Sequence, residues 1–259
     1  MAWSPQRIAA RAAELDEAAR LAQPIPQAPA DDAPDYSDAY GVQAALHALR
    51  EARGDARVGM KLAFTNQAMR SRMGIPGAAA GSLYASMQVA DGATVARSAR
   101  IAPRLEIEIA YRLARPLRAG ASVDEALAAI DAIAPAIEIV DSRYRNFKFA
   151  AGDVVADNTG ASGFVVGPWQ SARIDYRDLA VVLEIDGVEC ARGSTAIIFD
   201  NPLLTLPAAA EGAARIGLAL EPGCVIMGGS AIDPVALGDG RTVRAHIAGL
   251  GSVGFAVAD

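Results

Sequence analysis

The stretch APRLEIEIAYRLARPL, residues 102–117, alternates side-chain character from Leu105 to Ile109, with Glu106 and Glu108 set between aliphatics. A two-residue period marks a strand rather than a helix, and residues i and i+2 of a strand share one face. Glu106 and Glu108 therefore project together, with roots about 7 Å apart by strand rise. Alone, this pattern also fits an edge strand with a solvated acidic face. A second apolar run, PAIEIVD at 135–141, places Glu138 among aliphatics as well. Three carboxylates on strands of buried character must share protons, pair with a base or bind a cation. An all-oxygen set of this kind suits Mg²⁺ or Mn²⁺. The chain has 2 histidines, His47 and His246, so a three-histidine metal site is excluded.

Outward from these strands, Lys61 in VGMKLAF lies between Met60 and Leu62 on another apparent strand. It reads either as a snorkelling surface lysine or as a partly buried ammonium whose lowered pKa lets it exchange a proton. Further strands are expected at AIEIVDSRY, SGFVVG, LAVVLEIDGVECARG, CVIMGG and TVRAHIAGLGSVGFAVA, with helices at SVDEALAAIDAI and NPLLTLPAAAEGAARIGL. Several strands follow one another without a helix between them. This argues for an α+β fold with a mixed, largely antiparallel rolled sheet or barrel, and against a doubly wound one. The Gly/Ala-rich run from Ile75 to Ser86 reads as a flexible loop or lid. Asp157-Asn158 reads as a turn that could offer N–H groups to an anion.

Residues 1–56 read as an N-terminal helical region before a main domain at 57–259. Ser4-Pro5 opens one helix, expected to run to about Gln23, and PIPQAPADDAPD reads as a linker. A second helix follows, with Ser37 or Asp38 as cap and Gly54 as stop. The 259-residue chain is 52% hydrophobic with net charge −6, and its charges are interspersed, which speaks against nucleic-acid binding. No apolar run reaches transmembrane length and the N-terminus lacks a signal-like apolar region, so a cytoplasmic protein is expected. Cys190 and Cys224 follow no disulfide or zinc spacing and are expected as buried thiols.

GMKLAFTNQAM, PRLEIEIA, PAIEIVDSRYRNFKF, VVADN and GLGSV occur in that order. The series resembles the hydratase/decarboxylase branch of the fumarylacetoacetate hydrolase superfamily, from about Tyr36 onward. The resemblance implies that family's fold, a divalent Mg²⁺ or Mn²⁺ held at Glu106, Glu108 and Glu138, and a catalytic lysine at Lys61. It implies a 2-oxo-enoate substrate from aromatic meta-cleavage, processed through a metal-stabilised enolate. It places substrate contacts at Ala79, Leu83, Arg143, Asp157, Asn158, Gly160 and Ser162. It also implies a homo-oligomer and a possible hydratase or decarboxylase partner.

Two lyase outcomes follow from the resemblance. The hydratase pattern has an acid in the lid, where this chain has Ala79 in GIPGAAAGSLYASM. That favours decarboxylation of 2-oxo-3-hexenedioate, with hydration of 2-hydroxypenta-2,4-dienoate as the alternative and a non-catalytic partner subunit as a third reading. The family's ADNAS is ADNTGAS here, with Gly160 in place of a hydroxyl, and Asn201 stands at a histidine position. Neither His47 nor His246 falls where the family's C–C hydrolases carry their histidine.

Overall fold

The computed structural model describes residues 2–27, 29, 33–73, 75 and 77–259. Parts of the expected linker (28 and 30–32) and of the expected lid (76), together with 1 and 74, lie outside them. The α-helices among these residues are α1 (Pro5–Leu21), α2 (Tyr36–Glu51), α3 (Gln67–Met73), α4 (Val123–Ala129), α5 (Ala151–Ala156) and α6 (Thr205–Arg215). The strands are β1 (Arg57–Ala63), β2 (Ala79–Tyr84), β3 (Gln88–Val89), β4 (Thr94–Ala96), β5 (Arg104–Leu113), β6 (Ile130–Val140) and β7 (Ala161–Val166), followed by β8 (Gln170–Ser171), β9 (Ala180–Ile185), β10 (Val188–Ser194), β11 (Val225–Met227), β12 (Val235–Ala236), β13 (Thr242–Ile247) and β14 (Gly251–Ala258).

The strands form two sheets. The larger, curled into a half-barrel, runs β2-β1-β11-β5-β6-β7-β3, with β12 and β8 joining at β5 and β6. Its pairs are antiparallel except β1 with β11 and β3 with β7. The smaller runs β10-β9-β13-β14-β4. The α+β class and the rolled, mixed sheet expected from the sequence are thus present.

Strand β5 is covered on both sides. Leu105, Ile107, Ile109 and Tyr111 face the core shared with Leu183, Val243, Ala245 and Phe255 of the smaller sheet. The opposite face points into the half-barrel, where Ala110 packs with Ala134, Ala136 and Phe164. An exposed acidic edge is therefore ruled out: Glu108 and Glu138 are 0% exposed.

Helices α1 and α2 pack on each other and against α5 and β2. Trp3, Leu15, Val42 and Leu46 join Ala79, Tyr144 and Val155 in one cluster. Gln43 donates to the carbonyls of Ala80 (2.9 Å) and Val155 (2.8 Å), tying α2 to β2 and to the segment behind the site. Ser4 caps α1 as expected, its Oγ accepting from the Arg7 N–H. The α2 cap is Asp35, not Ser37 or Asp38. Asp38 is instead buried, with its carboxylate taking the Trp3 N–H at 3.0 Å.

Three other expectations change, and one helix was not anticipated. Residues 79–84 are not a flexible lid but a wholly buried strand, because a small-residue run can lie against β1 and the Asn158–Gly160 turn. Helix α4 stops at Ala129, and Ile130 onward belongs to β6, where β-branched residues pair with β5. Helix α5 was not legible, since AGDVVA is too short to show a helical period. Cys190 is exposed on edge strand β10 and Cys224 half-exposed, so neither is a buried thiol, and both are free.

Gly81 permits the closest of these approaches. A Cβ there would collide with the Thr159 side chain and come within 2.7 Å of the Asn158 carbonyl oxygen. Gly81→Val should lower stability by about 3 kcal/mol, as overpacking does. Thermal unfolding checks this, and an unchanged melting temperature would contradict the contact.

Candidate metal and lysine site

In the register of β5 and β6, Glu106 lies directly opposite Glu138. Glu108, two residues along β5, shares their face. One carboxylate oxygen from each of the three lies within 4.8 Å of the others. Lys61 arrives from β1, across the short β11 that separates β1 from β5. Its ammonium stands 3.0 Å from Glu138 Oε2 and donates to the Thr159 carbonyl at 3.2 Å. The snorkelling alternative is closed, because the side chain is 2% exposed.

The backbone turns complete the enclosure. Glu108 Oε2 accepts from the Gly229 N–H at 2.8 Å. Gly229 has φ +98° and a Cβ there would strike Thr65, so only glycine brings that N–H to the carboxylate. Asn158 clamps Ser82 through both amide atoms, accepting from its N–H at 2.7 Å and donating to its carbonyl at 2.9 Å. This holds the Asn158–Gly160 turn so that the Thr159 carbonyl meets Lys61. The turn thus presents the Thr159 carbonyl to the Lys61 ammonium.

Burial pushes all three glutamates upward in pKa. Glu106 rises to about 7, held back by Lys61 and driven on by Glu138 and Asp233. Burial and the Glu138 carboxylate hold Glu108 well above the usual range, and Glu138 is raised while Lys61 opposes the rise. Lys61 departs from expectation. Burial alone lowers it, but Glu138, Glu106 and Glu108 together outweigh that and raise it. The ammonium is therefore held charged by its three acidic neighbours.

The site opens into a cavity of about 250 Å³. Its walls include Leu62, Val140, Phe147, Phe149, Ile197 and Ile232, and its polar lining includes Arg104, Thr159, Ser230 and Asp233 beside Lys61 and Glu106. The other sequence-derived contacts sit elsewhere. Ala79 is buried opposite Ala63 on β1 and packs toward the N-terminal helices. Leu83 is buried on the inner face of the half-barrel with Phe164 and Met227. Arg143 and Asp157 form a buried ion pair, and Asp157 is pushed up to about 6 by burial against the pull of Arg143. Gly160 adopts φ +77° in the turn, and Ser162 lies on β7. None of these seven residues lines the cavity. Arg104 was missed although it occupies the next same-face position before Glu106, so the i, i+2 rule already pointed to it. Asp233 and Ser230 follow β11 in a loop that carries no periodic signal.

The sequence matches the fumarylacetoacetate hydrolase C-terminal family over residues 65–258. A 4-oxalocrotonate decarboxylase from a Pseudomonas species is 42% identical over 249 residues, 96% of this chain and 97% of that protein. A 2-keto-4-pentenoate hydratase from Burkholderia vietnamiensis is 36% identical, over 95% of both chains. The structure of 4-oxalocrotonate decarboxylase from Pseudomonas putida G7, complexed with magnesium and adipate, superposes with a TM-score of 0.93 at 32% identity, covering 99% of both chains. With three acids and a lysine gathered inside a half-barrel of matching fold, the chain belongs to the fumarylacetoacetate hydrolase family.

Proposed function

We propose that this chain is a divalent-cation-dependent lyase that decarboxylates 2-oxo-3-hexenedioate (4-oxalocrotonate) to 2-hydroxypenta-2,4-dienoate. The observation that carries the reading is the meeting of three carboxylates and a buried ammonium at one end of a largely apolar cavity. Two relatives of known activity, at 42% and 32% identity, are decarboxylases of that substrate. Catalysis is assigned to residues 57–259, with 1–56 as the helical region that backs them.

The residues present fit a cation. Glu108 Oε1 and Glu138 Oε1 are buried without a hydrogen-bond partner. One ammonium cannot balance three ionised carboxylates, and the donors are all hard oxygens. Glu106, Glu108 and Glu138 would hold Mg²⁺ or Mn²⁺. Bound there, the ion would supply Lewis-acid stabilisation of negative charge on the substrate's 2-oxo oxygen.

In the reaction, the C5–C6 bond breaks and CO₂ leaves from C6. The electron pair shifts through C3=C4 to the 2-oxo oxygen, which gains a proton. Lys61 is the proton donor on this reading, kept charged by its acidic neighbours and aimed by the Thr159 carbonyl. Phe147, Phe149, Ile197 and Ile232 exclude water from the distal end. A desolvated carboxylate there loses its hydration, and release of neutral CO₂ relieves that cost.

One observation favours the second reading, hydration of 2-hydroxypenta-2,4-dienoate. Asp233 lines the same cavity and supplies an acid that could handle protons near the distal carbons. The two separate cleanly in an assay. With Mg²⁺ and 2-oxo-3-hexenedioate, the expected result is CO₂ release. Consumption of 2-hydroxypenta-2,4-dienoate without CO₂ release from the dicarboxylate would establish the hydratase instead. Glu106→Gln should weaken Mg²⁺ binding and turnover by at least about 100-fold, since changes even behind metal ligands cost 10–100-fold. Calorimetric Mg²⁺ binding by the variant at wild-type affinity would remove Glu106 from the site. Light scattering tests the homo-oligomer that the family resemblance implies.

Stability should carry the same signature. Glu106 and Asp157 keep their protons to about pH 7 and 6 when folded but release them near 4.5 and 3.8 when unfolded. The unfolded chain then binds fewer protons between these values, so their contribution to stability falls as pH rises through them. Glu108 and Glu138 act in the same direction, while His47, lowered by burial, opposes them as one group. The surface acids Asp131, Asp175, Asp186 and Glu189 are lowered, so their effect is complete below this window. Metal-free protein should melt at a lower temperature at pH 7.5 than at pH 5. Millimolar Mg²⁺ should narrow the gap by binding the ionised carboxylates. A metal-free melting temperature that rises across this range would contradict the burial assigned to these acids.

A further inference from the structure

Arg104 is the one arginine lining the cavity among the described residues, and its position follows from the strand. Arg104, Glu106 and Glu108 lie in sequence on one face of β5, with Glu108 fully buried and the other two half-buried toward the mouth. Arg104 pairs in register with Val140, which also lines the cavity. Its guanidinium carbon stands 4.2 Å from the centroid of the Phe147 ring. Asn146 and Phe147, with φ +60° and +57°, hold that ring at the cavity wall in a backbone conformation that bulky residues rarely adopt. Among the described residues, no carboxylate forms an ion pair with Arg104 and no hydrogen bond engages its guanidinium, although Asp233 lines the same cavity. A stacked, half-buried guanidinium with its donors free is a preorganised receptor for a carboxylate.

We infer that Arg104 receives the distal carboxylate of the substrate and selects 2-oxo dicarboxylates of about six carbons over 2-oxo monocarboxylates. The inference rests on the decarboxylase reading. With the 2-oxo end directed to Glu106, Glu108 and Glu138, the remaining carbons extend outward toward the mouth. The root of Arg104 stands about 7 Å along the strand from that of Glu106. That spacing suits the distal end of a six-carbon diacid, and a five-carbon 2-oxo monoacid has no charge to place there.

The carboxylate bound by Arg104 is the one that departs as CO₂. Its ion pair is therefore strongest before C5–C6 cleavage and fades as the group becomes neutral. Arg104 thus governs substrate selection and KM more than kcat, because only interactions that strengthen in the transition state accelerate the chemical step. The apolar wall lowers the barrier, and Arg104 chooses the molecule.

The test compares two ligands that differ only in the distal carboxylate, 2-oxohexanedioate and 2-oxohexanoate, bound to the Mg²⁺-loaded protein by calorimetry. Wild type should prefer the diacid by roughly 10–100-fold, the range of a charged hydrogen-bonded pair. Arg104→Gln should erase that preference by weakening the diacid alone, and Arg104→Lys should keep part of it. In turnover of 2-oxo-3-hexenedioate, Arg104→Gln should raise KM by more than it lowers kcat. Equal wild-type affinity for the two ligands would overturn the inference without need of any variant. So would an equal loss of both ligands in a folded Arg104→Gln protein, which would place Arg104 at the 2-oxo end. Absence of CO₂ release by wild type, with the diacid preference intact, would instead count against the reaction and leave the assignment of Arg104 standing.

Discussion

Burial of three carboxylates with one ammonium inside a curled sheet is the interaction on which the rest of this structure depends. Isolated charges in such a place cost several kcal/mol each, so the fold must answer them. It does so with Lys61 at 3.0 Å from Glu138, the Gly229 N–H on Glu108, and a Thr159 carbonyl on Lys61. What remains is an all-oxygen donor set with Glu108 Oε1 and Glu138 Oε1 lacking hydrogen-bond partners, a set suited to a hard divalent cation.

The sheet makes this possible because β5 and β6 are apolar on one face and chemical on the other. Leu105, Ile107 and Ile109 anchor β5 to the smaller sheet, and the alternating positions are left to Arg104, Glu106 and Glu108. Cross-strand register then sets Glu106 against Glu138 with no further device. The rigid strands carry the charged groups, while the turns at 158–160 and 228–230 supply single backbone atoms. Small residues matter at those contacts because a Cβ at Gly81 or Gly229 would hold the turn away.

Beside the acids, the cavity is walled by aromatic and aliphatic side chains, with Arg104 and Asp233 among its charged members. Ala79, the position that the sequence pattern offered as the discriminator, pairs with Ala63 on the same sheet face as Lys61 and is buried among Val42, Tyr144 and Val155.

The two-residue alternation of LEIEIA and the apolar run around Glu138 determined the strands and the shared face of Glu106 and Glu108, because strand periodicity is local. The N-cap at Ser4 and the absence of three histidines were legible for the same reason. Only the tertiary structure decided that β5 is covered on both faces, that 79–84 is a buried strand, and that Lys61 is raised rather than lowered. Each depends on partners distant in sequence: Lys61 meets Glu138 across 77 positions and Glu108 meets Gly229 across 121. Burial and pKa belong to the assembled neighbourhood, and a strand pattern cannot say which turns will close over it.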